Sequence, residues 1–159
     1  MDQTRLTVTA LRVLLGTAFA LLVVLQTFSL PGQFASMARE TPEMAYLRWP
    51  LTAFAVVELV CVQVVIVSTW KLLSRFRAGQ VFSEASLGWV DAIVWAVGTA
   101  WVLLVGGFLW VGFHADDPGL PLLLFVVVVG GAAVGLLLLV MRALLRQATT
   151  LRSDLETVI

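Results

Sequence analysis

Apolar residues are concentrated in four long stretches, and most charged residues lie in the short segments between them. The stretches cover residues 13–30, 51–70, 92–113 and 120–141, which contain 18, 20, 22 and 22 residues. A helix needs roughly 20 such residues to cross the ~30 Å hydrocarbon core of a bilayer. None of the stretches shows the period of two that is typical of a membrane β-strand. The pattern therefore predicts four membrane-spanning helices.

The connections between the stretches are short, which favours an antiparallel arrangement. Residues 114–119 leave room only for a tight hairpin between the third and fourth spans. The longest connection, residues 31–50, is expected to be an outer loop with a short helix near residues 33–40. The predicted fold class is all-α integral membrane, an antiparallel four-transmembrane-helix bundle with an amphipathic cytoplasmic C-terminal helix extension. The chain is expected to form one domain, with a tail at residues 142–159.

The lysine and arginine residues predict the orientation of the bundle. Eight of the ten fall on one side of the four-span arrangement, and only Arg39 and Arg48 fall on the other. Cytoplasmic loops carry the excess of positive charge, so both termini and the 71–86 loop are expected in the cytoplasm. The first stretch follows Arg5 and Arg12 as a secretory signal would. Its 18 residues exceed the usual apolar core of a signal, so we expect a retained span.

Composition agrees with a membrane protein and excludes several kinds of chemistry. The chain is 60% hydrophobic and 13% charged, with a mean hydropathy of +1.00. Its net charge is zero, which does not favour direct binding of nucleic acid. One cysteine, Cys61, and one histidine, His114, do not supply a disulfide, a zinc cluster or a two-histidine haem site. We expect no cofactor, no metal and no enzyme activity. His114, Asp116 and Asp117 are interpreted as ordinary turn residues.

The loop between the second and third spans has the signals of a rigid corner. Gly79 is expected to end one helix, since glycine adopts the left-handed conformation at low cost. Ser83 is expected to cap the next helix, with Glu84 in its first turn, where the helix dipole favours an anion.

The tail has a heptad-like apolar stripe, which favours one continuous amphipathic helix. The stripe residues are spaced 4, 3, 4 and 3 apart: Leu144, Ala148, Leu151, Leu155 and Val158. Two interpretations remain open. The stripe either packs on the protein's own corner or on lipid, or it is a docking surface for a partner.

The corner and the tail also resemble a known family. Arg75-Phe-Arg-Ala-Gly-Gln-Val-Phe-Ser83 resembles the signature Arg-x-Gly-x-x-Phe-Ser of a family of small four-span bacterial membrane proteins of unknown function, which includes the YoaS-like proteins. The end of the tail, from Ala148, is similar to the family's acidic–Leu–Val/Ile ending. One departure is Asp154-Leu-Glu-Thr, where related endings read Glu-Leu-Asp-Glu. The resemblance implies a bacterial plasma membrane protein, often encoded beside an XRE-type helix-turn-helix regulator, and no catalytic residue.

Polar residues inside the predicted spans are candidate functional residues, because polar groups in a bilayer are costly. Glu58 has no basic residue at its depth, and we expect a neutral carboxyl that donates a hydrogen bond to Gln26. Gln63 is expected in a second polar layer with Thr17 and Thr99. Two interpretations of Glu58 remain open. It is either a structural residue, hydrogen-bonded within the bundle or to another subunit, or a proton- or cation-handling group.

Two further features concern helix packing. Asp91 lies at the cytoplasmic edge of the third span and is expected to pair with Lys71 and Arg75, with Arg12 and Arg142 at a similar depth. Gly131 and Gly135 form a small-x-x-x-small face, which favours close packing within the bundle or between two copies of the chain.

Two functions fit these features. The first is a non-catalytic regulatory or interaction module that binds a cytoplasmic partner, such as a helix-turn-helix regulator, through the 71–86 loop and Leu144, Leu151, Leu155 and Val158. The alternative is an accessory subunit of a larger respiratory or transport complex, bound to other membrane subunits. A lone proton- or cation-handling bundle that uses Glu58 is a weaker alternative.

Overall fold

The protein is helical throughout its regular structure in the computed structural model, which describes residues 2–158. A π turn and a 3-10 segment interrupt the α-helices near the first connection. In chain order the elements are α1 (Asp2–Val24), the π turn (Leu25–Ser29), α2 (Leu30–Glu40), the 3-10 segment (Pro42–Leu47), α3 (Arg48–Arg77), α4 (Glu84–His114) and α5 (Gly119–Val158).

Four helical segments are long and apolar enough to span a membrane. They run over Asp2–Glu40, Pro42–Arg77, Glu84–His114 and Gly119–Val158, with 39, 36, 31 and 40 residues. Each contains one of the stretches predicted from the sequence. All four exceed the roughly 20 residues that a span requires, so the helices extend beyond any hydrocarbon core they cross.

The first connection differs from the predicted loop. The short helix expected near residues 33–40 is confirmed, but it begins at Leu30 and continues directly from α1 through the π turn. Pro31 in an uninterrupted α-helix would clash with the carbonyl four residues earlier. The π turn adds one residue to the hydrogen-bonded turn of the helix, because the Leu30 N–H donates to the Leu25 carbonyl five residues earlier. Helical structure therefore passes the proline and ends at Glu40.

The corner between α3 and α4 confirms both predicted signals. Gly79 has a φ of +70°, and the N–H groups of Gly79 and Gln80 donate to the Phe76 and Arg75 carbonyls, which is a Schellman ending. The Ser83 hydroxyl accepts from the Ser86 N–H at 3.4 Å and caps α4. These bonds fix the direction in which α4 leaves the corner.

Helix α4 lies between α3 and α5 and packs against both, while α1 and α2 pack against α3. Small residues allow close approach at these contacts. A Cβ added at Gly107 of α4 would lie 3.2 Å from the Phe54 ring of α3. A Cβ added at Gly16 of α1 would lie 3.4 Å from the Trp70 ring of α3. The contact at Gly107 is tighter than ordinary packing, so glycine there sets the distance between α3 and α4, whereas a Cβ at Gly16 would make an ordinary contact.

Candidate functional site

Gln26 and Gln63 form a direct bridge between the first helical segment and α3. The Gln63 side-chain amide donates to the Gln26 side-chain oxygen at 2.9 Å. Gln26 lies in the π turn, and its own amide is 3.5 Å from the Val56 carbonyl of α3. Thr17 and Thr99, expected in the same polar layer as Gln63, instead donate to carbonyls four residues earlier in their own helices. The interhelical bridge thus consists of the two glutamines.

Glu58 faces away from this bridge. It is five residues before Gln63, which is about 140° around a helix of 3.6 residues per turn. Gln63 points towards α1, and Glu58 instead lines a cleft between α3, α4 and α5. The expected hydrogen bond from Glu58 to Gln26 is therefore not made; Gln63 takes its place.

The Glu58 cleft, as we call this space, has a volume of about 500 Å³. Its walls are apolar apart from Glu58 and the Cys61 thiol one turn away, and they include Trp101, Val127 and Val134. The Oε1 atom of Glu58 is shielded and has no hydrogen-bond partner within residues 2–158. The cleft thus presents one acidic group in an apolar surround.

Trp101 joins α4 to α5 beside the cleft. Its indole N–H donates to the Val128 carbonyl at 2.9 Å. A Cβ added at Gly131 would lie only 2.9 Å from Trp101 Cδ1, whereas one added at Gly135 would meet nothing within 4 Å. Of the two glycines of the small-x-x-x-small face, Gly131 is therefore covered by a contact within the chain, and Gly135 faces open space.

Asp91 forms an ionic lock between α4 and the end of α5. Its carboxylate lies 2.5 Å from Arg142 Nε and 3.8 Å from an Arg146 guanidinium nitrogen. The two arginines are one helical turn apart, so both reach the same acid. Lys71 and Arg75 form no ion pair with Asp91 in the described part of the chain. The partners of Asp91 thus come from α5 and not from α3.

A second polar contact at the same end joins α1 to α3. Arg12 donates to the Ser74 hydroxyl at 2.5 Å, and its guanidinium lies over the Trp70 ring at 5.7 Å. Arg77 donates to the Thr9 hydroxyl at 3.4 Å. Sequence reasoning placed Arg12 at this depth but did not identify its partner, because a serine at a helix end gives no pairing signal.

The tail continues α5 without a break as far as Val158. Four stripe residues are exposed on it: Leu144, Leu151, Leu155 and Val158, at 59%, 63%, 63% and 84%. Thr149, on another face, is buried and donates to the Leu145 carbonyl. The tail therefore packs through Thr149, with the fifth stripe residue, Ala148, half-buried beside it, and leaves the other four stripe residues uncovered.

The connection between α4 and α5, at residues 115–118, is held by local contacts. The His114 ring stacks on Trp110 with centroids 4.8 Å apart, and its Nδ1 lies 2.9 Å from the Trp110 carbonyl. Asp117 accepts from the Gly119 N–H at 3.3 Å. Within residues 2–158 no three His, Cys, Asp or Glu side chains are placed to hold a metal ion. These residues act as an ordinary helix end and turn.

The comparisons with known proteins find one family. A family model described as "Protein of unknown function (DUF2975)" matches residues 32–159, about four fifths of the chain. The match includes α3, α4, α5 and the tail, and therefore the Glu58 cleft, the Asp91 lock and the exposed stripe. No curated protein and no solved structure matches the chain. The chain therefore belongs to the DUF2975 family of proteins of unknown function.

Proposed function

We propose that this chain is a non-catalytic interaction protein of the bacterial plasma membrane. Four helices cross the bilayer in alternating directions, and both termini lie in the cytoplasm. The tail then projects from the membrane as a docking helix for a soluble cytoplasmic partner.

The distribution of charge supports the orientation. Basic residues of α1, α3 and α5 lie at one end of the molecule. They are held there by the contacts of Arg12 with Ser74 and of Arg77 with Thr9, and by the Asp91 lock. An excess of basic residues at one end is typical of the cytoplasmic side.

The alternating directions of the helices are supported by contacts between α4 and α5. Going back along α4 from Trp101 to Asp91, the partner on α5 moves forward from Val128 to Arg142. Helices whose contacts run in opposite order are antiparallel, as expected for two spans joined by a short connection.

The exposed stripe on the tail is the observation on which the docking role rests. A helix of residues 142–158 is about 25 Å long at 1.5 Å per residue, enough for two heptads of contact. Its two central leucines, Leu151 and Leu155, are each 63% exposed although a soluble helix favours burying such residues. An amphipathic partner helix with leucine or isoleucine at matching positions would cover them.

The family resemblance favours one class of partner, a small helix-turn-helix regulator. Small helix-turn-helix regulators are soluble helical proteins, and one encoded beside a membrane protein is available to bind a helix at the membrane surface. Arg142 and Arg146 of the tail pair with Asp91, and Arg152 pairs with Glu156, whereas Asp154 has no ion pair within residues 2–158. A partner helix with a basic residue near Asp154 fits this arrangement of charges.

Site-specific photo-crosslinking of the full chain in native membranes tests the docking role. A photoreactive residue is placed at position 151 or 155, and a matched control is placed at Ser153, which lies on the opposite face of the same turns. We expect adducts with one soluble protein from positions 151 and 155 but not from position 153. The double variant Leu151→Glu/Leu155→Glu should release the same protein from the membrane, whereas Thr150→Glu/Ser153→Glu should retain it.

Three results would overturn the docking role. The first is adducts from positions 151 and 155 that contain only lipid or only a second copy of this chain. The second is equal labelling at all three positions. The third is retention of the soluble protein by the Leu151→Glu/Leu155→Glu variant.

A further inference from the structure

The Glu58 cleft has the size of a small-molecule site. Its volume of about 500 Å³ lies within the range of about 300–1,000 Å³ that is usual for such sites. Helix α4 forms the floor with Ala96, Ala100 and Leu104, and α3 and α5 form the walls. Val62, Val127 and Val134 on these walls are partly exposed, so the cleft opens sideways between the helices rather than towards either end.

Glu58 lacks the partners that a purely structural acid requires. Its Oε1 atom is shielded and unbonded, and none of the ion pairs within residues 2–158 includes it. Gln26, the side chain best suited to bond it, is already bonded to Gln63. A buried polar group without a partner is costly, and its persistence points to a ligand that completes it.

The chemistry of the walls restricts this ligand. A metal ion needs several oxygen, nitrogen or sulfur ligands, and only Glu58 and Cys61 stand on the walls. An anion would be repelled by the ionised form of Glu58, and an apolar molecule without a polar group leaves the acid unpaired. A cation on an apolar body stabilises the ionised form of Glu58 in this apolar surround and covers the walls.

We propose that the Glu58 cleft binds a lipophilic organic cation, with the charge against Glu58 and the apolar body against Trp101 and the valine walls. Trp101 is suited to this role because its ring is held by the hydrogen bond to Val128 and cannot swing away. Molecules of this class dissolve in the bilayer, and the sideways opening lets them enter from lipid.

Equilibrium binding of tetraphenylphosphonium to the purified full chain, in nanodiscs of zwitterionic lipid, tests this proposal. Tetraphenylborate is the matched control probe, since it has the same shape and the opposite charge. We expect one saturable tetraphenylphosphonium site per chain and, in a separate titration, no saturable binding of tetraphenylborate. Glu58→Gln keeps the size of the side chain and should weaken binding at least about tenfold, because the only charge in the cleft is lost.

Two further variants serve as controls, one for the loss of an acid outside the cleft and one for an effect of the tail. Glu84→Gln removes an acid in the first turn of α4, outside the cleft, and should bind as the unaltered chain does. The full-chain variant Leu151→Glu/Leu155→Glu, which disrupts the stripe and keeps the Asp91 lock, should also bind normally, so this proposal fails or succeeds independently of the docking role. The absence of saturable binding, equal binding by Glu58→Gln in a correctly folded chain, or equal binding of tetraphenylborate would each overturn it.

Discussion

Replacing Gly131 with alanine should destabilise the contact between α4 and α5. The added Cβ would lie 2.9 Å from Trp101 Cδ1, closer than real Cβ contacts. The indole cannot yield freely, because its N–H is bonded to the Val128 carbonyl at 2.9 Å. Overpacking of this kind costs about 1–3 kcal/mol. Loss of the interhelical hydrogen bond would add about 0.6–2 kcal/mol if the ring is expelled.

Gly135→Ala is the matched control, since a Cβ there meets nothing within 4 Å. Both changes replace glycine with alanine in the same helix, so the gain in helix propensity is common to both and cancels. We expect Gly131→Ala to be less stable than Gly135→Ala by about 1–3 kcal/mol in thermal unfolding of the detergent-solubilised chain.

A double-mutant cycle assigns the cost to the indole. In a Trp101→Leu background, which removes the indole ring, Gly131→Ala should cost little. Equal stability of Gly131→Ala and Gly135→Ala would refute the close packing of Trp101 on Gly131. The same conclusion would follow if the cost persisted in the Trp101→Leu background.

Two more predictions concern the Asp91 lock and the corner. Asp91→Asn should reduce the free energy of unfolding by about 1–2 kcal/mol, since Arg142 loses an ionic partner at 2.5 Å. Glu156→Gln breaks only an exposed pair and should cost about 0.3–0.5 kcal/mol in the same thermal assay; equal effects would contradict the lock. Gly79→Ala should cost about 1–2 kcal/mol because of its φ of +70°. Gly88→Ala, in open space within α4, should raise the free energy of unfolding by up to about 1 kcal/mol, and a neutral Gly79→Ala would contradict the Schellman ending.

Local signals in the sequence were sufficient for the helices and the corner. Hydropathy depends on composition over about 20 residues, and the conformations of Gly79 and Ser83 depend on their immediate neighbours. The continuation past Pro31 was missed because a proline normally ends or kinks a helix, and the π turn that accommodates it has no sequence signature.

The partners of polar side chains were harder to predict because they depend on which helices are adjacent. The predicted positions along the spans put Lys71, Arg75 and Arg142 at the same depth in the membrane as Asp91. In the structure only the arginines of α5 pair with that acid. Depth likewise placed Glu58 near Gln26, whereas the rotation of α3 turns Gln63 towards Gln26 and Glu58 towards the cleft. Assigning a face of α3 to each neighbour requires the packing order of the helices, which a single sequence does not contain.

The Asp91 lock lies between the Glu58 cleft and the exposed stripe, and it connects the two proposals. Helix α5 lines the cleft with Gly131 and Val134, pairs with Asp91 at Arg142, and presents the stripe from Leu144 onwards. No proline interrupts α5 after Pro121, and these three regions lie on one continuous helix. A ligand that shifts α5 against α4 at the level of the lock therefore strains the lock. Any such coupling is reciprocal, and a partner bound to the tail would change the affinity of the cleft by the same factor.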